Sequence, residues 1–140
     1  MKAARLDEHT LVAGQIQPSD IAAAKHAGVS TIVNNRPNGE EPGQPTSETI
    51  GAAAREAGLS YVHIPIAGGF SPDQVDAMAD ALGGAEGKTL AFCKSGTRST
   101  YLWALARARA GANPEDLVGQ AAVVGYDLTP LLPLMTSLRS

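Results

Sequence analysis

Cys93 is the only cysteine in the chain, and Lys94-Ser95-Gly96-Thr97-Arg98-Ser99 follows it directly. The spacing is Cys-x4-Arg, with a glycine in between that lets the backbone curl. The apolar run Thr89-Leu90-Ala91-Phe92 leads in, and a helical pattern from Arg98 to Ala110 leads out. A helix opening there turns unpaired N–H groups and the positive end of its dipole toward the loop. Successive N–H groups from Lys94 to Arg98 would form a nest around an anion. The Arg98 guanidinium can grip two anionic oxygens at once. The same field stabilises a thiolate, so Cys93 is expected to titrate below about 8.5 and to act as a nucleophile. Ser99 is expected to hydrogen-bond the cysteine sulfur. A lone cysteine is more often a small buried hydrophobe. Against that, Cys93 ends its strand, a glycine follows three positions on, and an arginine and a hydroxyl open the next helix.

The elements that must position this loop follow from periodicity. Short β-rich runs at Leu11–Ile16, Thr31–Asn35, Tyr61–Ile66 and Thr89–Cys93 alternate with helical stretches. Ser19 or Ser47, Ser71-Pro72-Asp73-Gln74 and Asn113-Pro114-Glu115-Asp116 read as helix starts, and glycines 28, 58, 83 and 111 as stops. The rhythm predicts a three-layer α/β domain with a mostly parallel central sheet flanked by helices. Its ligand site is expected at the carboxyl ends of the strands, where Cys93 falls.

Arg36 reaches the same edge, either steering an anion toward the loop or pairing with Glu40 or Glu41. The turn-rich segment Pro37–Pro45 is a candidate flap beside the site. Leu102 and Trp103 read as core. His63 reads as structural, on the face of its strand opposite Val62, Ile64 and Ile66.

At 140 residues the chain is expected to form one domain, 1–140, and 44% hydrophobic with 18% charged residues is an ordinary soluble composition. A net charge of -3 with dispersed basic residues argues against a nucleic-acid partner. A single cysteine and no long apolar run point to the cytoplasm, with no membrane association. His9, His26 and His63 are far apart in sequence, so neither a metal nor another cofactor is expected.

Several stretches together resemble one family. They are Ala13-Gly14-Gln15 with Pro18-Ser19-Asp20, the run from Asn35-Arg36-Pro37 through Glu40-Glu41 to Pro45, Tyr61-Val62-His63-Ile64-Pro65, and Cys93 to Ser99. Over about Leu6 to Thr129 the chain resembles the phosphatase-like domain of the beta-lactamase hydrolase-like proteins, related in fold to protein tyrosine phosphatases. The resemblance implies that fold and a cysteine nucleophile, with either phosphoryl or sulfur chemistry. Protein tyrosine phosphatases carry His-Cys-x5-Arg, whereas Phe92 precedes this cysteine and the loop is one residue shorter, similar to rhodanese-type sulfurtransferases. A phosphatase also needs a general acid, and the only carboxylate in the expected region, Asp73, sits in a helix's first turn, where the dipole favours its ionised form.

Sulfur transfer needs no such acid. The expectation is therefore a sulfurtransferase that forms a Cys93 persulfide from a small anionic donor such as thiosulfate and delivers sulfur to a thiol or cyanide acceptor. Arg98 and the loop Lys94, Ser95, Gly96, Thr97 and Ser99 would hold the persulfide. The alternative is a phosphatase acting through a Cys93 phosphoenzyme, with Asp73 as its acid. A third reading is an anion-binding or redox-sensing module, which would need an outside thiol to resolve an oxidised Cys93.

Overall fold

The computed structural model describes residues 1–139. Five strands, β1 (Ala3–Asp7), β2 (Thr10–Ala13), β3 (Val29–Asn34), β4 (Ser60–His63) and β5 (Lys88–Phe92), form one sheet in the order β1-β2-β5-β3-β4. Every pairing except the β1–β2 hairpin is parallel. The strand β5 is central, and Leu90, Ala91 and Phe92 are all buried, as expected for a parallel strand covered on both faces.

Helices α1 (Ile21–His26), α2 (Ser47–Glu56), α3 (Pro72–Gly84), α4 (Thr97–Arg109), α5 (Pro114–Val123) and α6 (Leu132–Leu138) complete the three layers. One face of the sheet packs Val12, Val33 and Ala91 against Met78, Leu102, Trp103, Leu117 and Met135 of α3 to α6. The other packs Ala13, Ile32, Leu90 and Phe92 against Ile21, Ala24, Ile50 and Ala54 of α1 and α2. Leu102 and Trp103 are core residues, as expected, and the Trp103 indole N–H donates to Asp7 at 3.2 Å.

Several local expectations need correction. The strand β1 has no sequence signal: Ala-Ala-Arg-Leu-Asp buries only Leu6, because this edge strand packs one inward side chain. The strands β2 and β4 stop at Ala13 and His63, short of Ile16 and Ile66, and Val62 is exposed because β4 is the other edge. The N-cap of α2 is Thr46, not Ser47. The Ser47 N–H is taken by Asn38 at 2.8 Å and its hydroxyl by Tyr61 at 2.7 Å. Ser19 lies inside a short 3-10 turn, Pro18–Asp20, whose entry is held by Asp20 accepting the Gln17 N–H. The helix α3 runs through Gly83 instead of stopping there. Ser71 and Gln74 form the expected capping box, and Asn113 caps α5.

Candidate active site around Cys93

The carboxyl ends of β2, β3 and β5 are laced together, and this fixes where Cys93 begins its loop. The Cys93 N–H donates to the Ala13 carbonyl at 3.3 Å, Asn35 to Phe92 at 2.8 Å and Gln15 to Lys94 at 3.3 Å. A methyl group on Gly14 would lie 2.9 Å from the Lys94 carbonyl oxygen, so the close passage of these two segments excludes a side chain there.

Gly96 makes the curl. Its φ is +90°, and it presents its N–H to Cys93 Sγ at 3.1 Å. A β-carbon at Gly96 would meet the Tyr126 oxygen at 2.3 Å. Tyr126, from the segment after α5, donates its hydroxyl to the Ser95 carbonyl at 3.1 Å and so braces the loop from outside. Burial, and after it the charge of Cys93, push the Tyr126 phenol above its ordinary value, so it stays a donor. The helix α4 opens at Thr97, one residue before the expected start, which leaves its first N–H groups without partners in the helix. Thr100 anchors the turn through its N–H and hydroxyl, both donating to the Gly96 carbonyl.

Ser99 does not donate to the sulfur as expected. Its hydroxyl donates to Asn35 Oδ1 at 2.8 Å, and Asn35 Nδ2 donates to the Ile64 carbonyl at 3.0 Å. Both side chains are fully buried, and this chain of bonds ties α4 to the ends of β3 and β4. Ser95 and Thr97 pair through their hydroxyls at 3.1 Å. His63 donates from Nε2 to the Arg36 carbonyl at 2.8 Å, a structural contact.

The charged groups converge more closely than sequence spacing alone indicates. Arg98 forks onto Glu40, Nη1 to Oε2 at 2.8 Å and Nη2 to Oε1 at 2.9 Å, and also donates to the Ile66 carbonyl. Arg36 is only 3% exposed. It donates through Nε to the same Glu40 Oε1 at 2.8 Å and through Nη1 to Gln15 at 3.0 Å. Its Nη2 stands 3.4 Å from Glu41 without an aligned hydrogen bond. Lys94 reaches Glu41 at 2.5 Å.

The segment expected to be a flap therefore lays two carboxylates on three cations. Arg36 does pair with Glu40, but it is buried at the site and not a loose surface residue. The hydrogen bond from Arg98, with Arg36 assisting and burial opposing, holds Glu40 down to about 2. Lys94 lowers Glu41, and the Glu40 contact raises Arg98 further. Asp73 stands exposed in the first turn of α3, with no hydrogen bond or ion pair to Cys93, Arg98 or Lys94 among the described residues.

A cavity of about 740 Å³ lies at the other end of the strands beside Thr10, Gly28, Lys88 and Thr89. It is away from this chemistry. Among the described residues no helix is long and apolar enough to cross a membrane.

The model of the phosphatase-like domain of the beta-lactamase hydrolase-like proteins matches residues 4–110. The chain belongs to this family. A beta-lactamase hydrolase-like protein of Agrobacterium fabrum is 36% identical over 130 residues, which are 91% of this chain and 30% of that protein. The chain thus spans under a third of the length of such relatives. Among solved structures, a protein of Neisseria meningitidis described as a putative phosphatase is 29% identical, with a TM-score of 0.82 and 96% of both chains covered. PTPMT1, at 14% identity and a TM-score of 0.71 over 99% of this chain and 94% of that one, shares the fold.

These likenesses overturn the expectation of sulfur transfer: the family and the solved relatives are phosphatase-like. The preference rested on a short loop and a missing acid. Loop length misleads because the donors do not come from the loop alone. Buried Arg36, from the segment after β3, joins the loop's own Lys94 and Arg98 at the rim, all three bound to Glu40 or Glu41.

Proposed function

We propose that this chain is a cysteine-dependent phosphatase acting on small anionic phosphomonoesters, aryl esters above all. The observation that carries the reading is Cys93 Sγ, held by the Gly96 N–H at the base of a loop whose helix start and arginine can receive an anion. In the first step the Cys93 sulfur attacks phosphorus. An S–P bond forms as the ester P–O bond breaks, and the leaving oxygen departs with the bonding pair. Water then attacks phosphorus, the S–P bond breaks with its pair returning to Cys93, and orthophosphate leaves.

Throughout, the loop N–H groups and the Arg98 fork stabilise charge on the non-bridging oxygens. The loop supplies Lys94, Ser95, Gly96, Thr97 and Ser99 in unequal roles. Gly96 and its neighbours give backbone donors, Lys94 gives charge at the rim, and Ser99 fixes the helix start. Phenols ionise near pH 10, so an aryl ester can leave as phenolate without a strong acid. That fits a site where Glu40 and Glu41 are ionised and Asp73 stands apart.

The test compares p-nitrophenyl phosphate with glycerol phosphate, using Cys93→Ser as the blank. The expected result is cysteine-dependent phosphate release, with the alkyl ester slower by about 10²-fold or more. Equal rates for the two esters would remove the aryl preference. Absence of phosphate release alongside tight orthophosphate binding would reduce the chain to an anion-binding module.

A further inference from the structure

The cavity at the amino ends of the strands, about 740 Å³, is within the size of a small-molecule site. It opens because the helices above the sheet carry small side chains there. Ala79 and Gly83 on α3 and Ala106 and Ala110 on α4 are each one turn apart, and Leu82 adds apolar bulk to the wall.

The floor is polar. Thr10 and Thr89 line it, only 2% and 1% exposed. They are partners in the β2–β5 register, and each lies two residues before one, Val12 or Ala91, that packs under α3 to α6. Strand alternation therefore turns both side chains to the cavity's side of the sheet. Among the described residues neither hydroxyl has a hydrogen-bond partner in the protein, and neither is sealed from the cavity. Fold stability alone favours valine at such positions: it has the same shape, a strong strand preference and no polar group to leave unpaired.

We propose that this cavity is a second binding site, for a small uncharged molecule with an apolar body and a hydroxyl or carbonyl oxygen at its inner end. Neighbouring strands lie about 4.8 Å apart, so one ligand oxygen set between the two hydroxyls reaches both. The charged groups nearest the floor are turned to the fold: Asp7 accepts the Trp103 indole N–H at 3.2 Å and the His9 N–H at 2.8 Å, and Lys88 donates to the Ala27 carbonyl at 3.1 Å. An ionised ligand group would meet hydroxyls there and no free counter-ion. The exposed Glu8, Glu86 and Arg107 stay in water at the mouth. The site is independent of the phosphatase reading, since Cys93 follows the opposite end of β5.

The experiment titrates benzyl alcohol and, separately, toluene into the isotope-labelled protein and follows its backbone amide signals. It uses the unaltered protein, Cys93→Ser, the double variant Thr10→Val with Thr89→Val, and Gly83→Phe. A β-carbon at Gly83 meets nothing within 4 Å, and the position is helical, so phenylalanine there occupies the cavity with a better helix preference than glycine. Unchanged signals from the Cys93 loop show that this variant keeps its fold.

Expected are saturable shifts at the Thr10, Thr89 and Ala106 amides, alike in the unaltered protein and Cys93→Ser and absent in Gly83→Phe. In the double valine variant benzyl alcohol should bind about two- to tenfold more weakly, the scale of one hydrogen bond. Toluene should bind that variant no more weakly, and the variant should melt no lower than the unaltered protein. The proposal is overturned by the absence of saturable shifts at these amides, by shifts confined to the Cys93 loop, or by shifts that survive Gly83→Phe. Equal changes for the two probes in the double valine variant overturn it too, as does a lower melting temperature, which would make the hydroxyls part of the fold and not of a site.

Discussion

Two loops meet at Arg98, and they are held in opposite ways. The Cys93 loop is fixed by backbone: Ala13 and Gly96 bond its two ends, Gly96 supplies a φ of +90°, and Tyr126 closes it from outside. The Pro37–Pro45 loop is fixed by side chains: Gln44 onto its own turn, Asn38 onto Ser47, and Glu40 and Glu41 onto cations of other segments. Backbone locking places N–H groups to a fraction of an ångström, as charge stabilisation demands. Ion pairs that reach solvent are screened and individually weak. One loop is thus held by its own backbone, and the other by side chains whose pairs water can weaken.

Breaking the rigid loop should have the largest effect. Gly96→Ala forces an alanine to φ +90° and drives its β-carbon to 2.3 Å from the Tyr126 oxygen. Expected are a stability loss of roughly 1–3 kcal/mol and a fall in phosphatase rate of about 10²-fold, the scale of an ångström's misplacement. Thermal denaturation and p-nitrophenyl phosphate turnover measure both. Adding Tyr126→Phe removes the oxygen but not the backbone strain, so it should recover stability only in part. Full recovery would mean that the left-handed backbone costs nothing here.

Next in size is Asn35→Ala. It leaves the buried Ser99 hydroxyl and the Ile64 carbonyl without their partner, at a cost of about 1–3 kcal/mol. Because it loosens where α4 starts but touches no reacting atom, kcat should fall more than KM rises. A change confined to KM would count against Asn35 as a positioning residue.

The same contrast explains what was legible in the sequence. The strand–loop–helix around Cys93 is local: an apolar run, a glycine at the right offset and an arginine read directly as an anion loop, and the α/β rhythm gives the layers. Asn35, Tyr126 and Gln15 were missed because their partners lie 64, 31 and 21 residues away, at Ser99, Ser95 and Arg36. No short-range pattern announces such pairs. Glu40 was seen as a partner of Arg36 within one turn of chain, whereas its fork to Arg98 spans 58 residues. The misjudged chemistry has the same root. Counting residues in the Cys93 loop measured its backbone donors but not Arg36, the cation that the fold brings to its rim from the segment after β3.

Loosening the loop held by side chains should do less. Gln44→Ala removes the acceptor for two N–H groups that water can replace, so stability should fall by about 0.5–1 kcal/mol. The Glu40 carboxylate, no longer aimed by its backbone, should hold Arg98 less firmly, and turnover of p-nitrophenyl phosphate should fall a few-fold. Unchanged turnover would mean that Gln44 holds only its own turn and not the aim of Arg98.

The smallest effect sharpens the comparison through pH. Glu40 is held down from its ordinary 4.5 to about 2, by Arg98 first and Arg36 after it. A carboxylate whose folded value is depressed contributes stability that is fully present above about 4.5 and is lost as pH falls from there toward 2. Glu40→Gln lacks that contribution at every pH, and it also leaves buried Arg36 facing a neutral amide. The variant should therefore melt below the unaltered protein at pH 7, by an amount on the order of 2 °C for so solvent-screened a pair. The gap should narrow between pH 4.5 and pH 2. Carboxylates away from Glu40 titrate in both proteins and drop out of the difference, while Glu41, whose titration the Glu40 charge raises, leaves a smaller remainder. A gap that stays constant across this range would mean that the stability difference comes from packing of the Glu40 side chain, and the ion pair would then be an occupant of Arg98 with little hold on the fold.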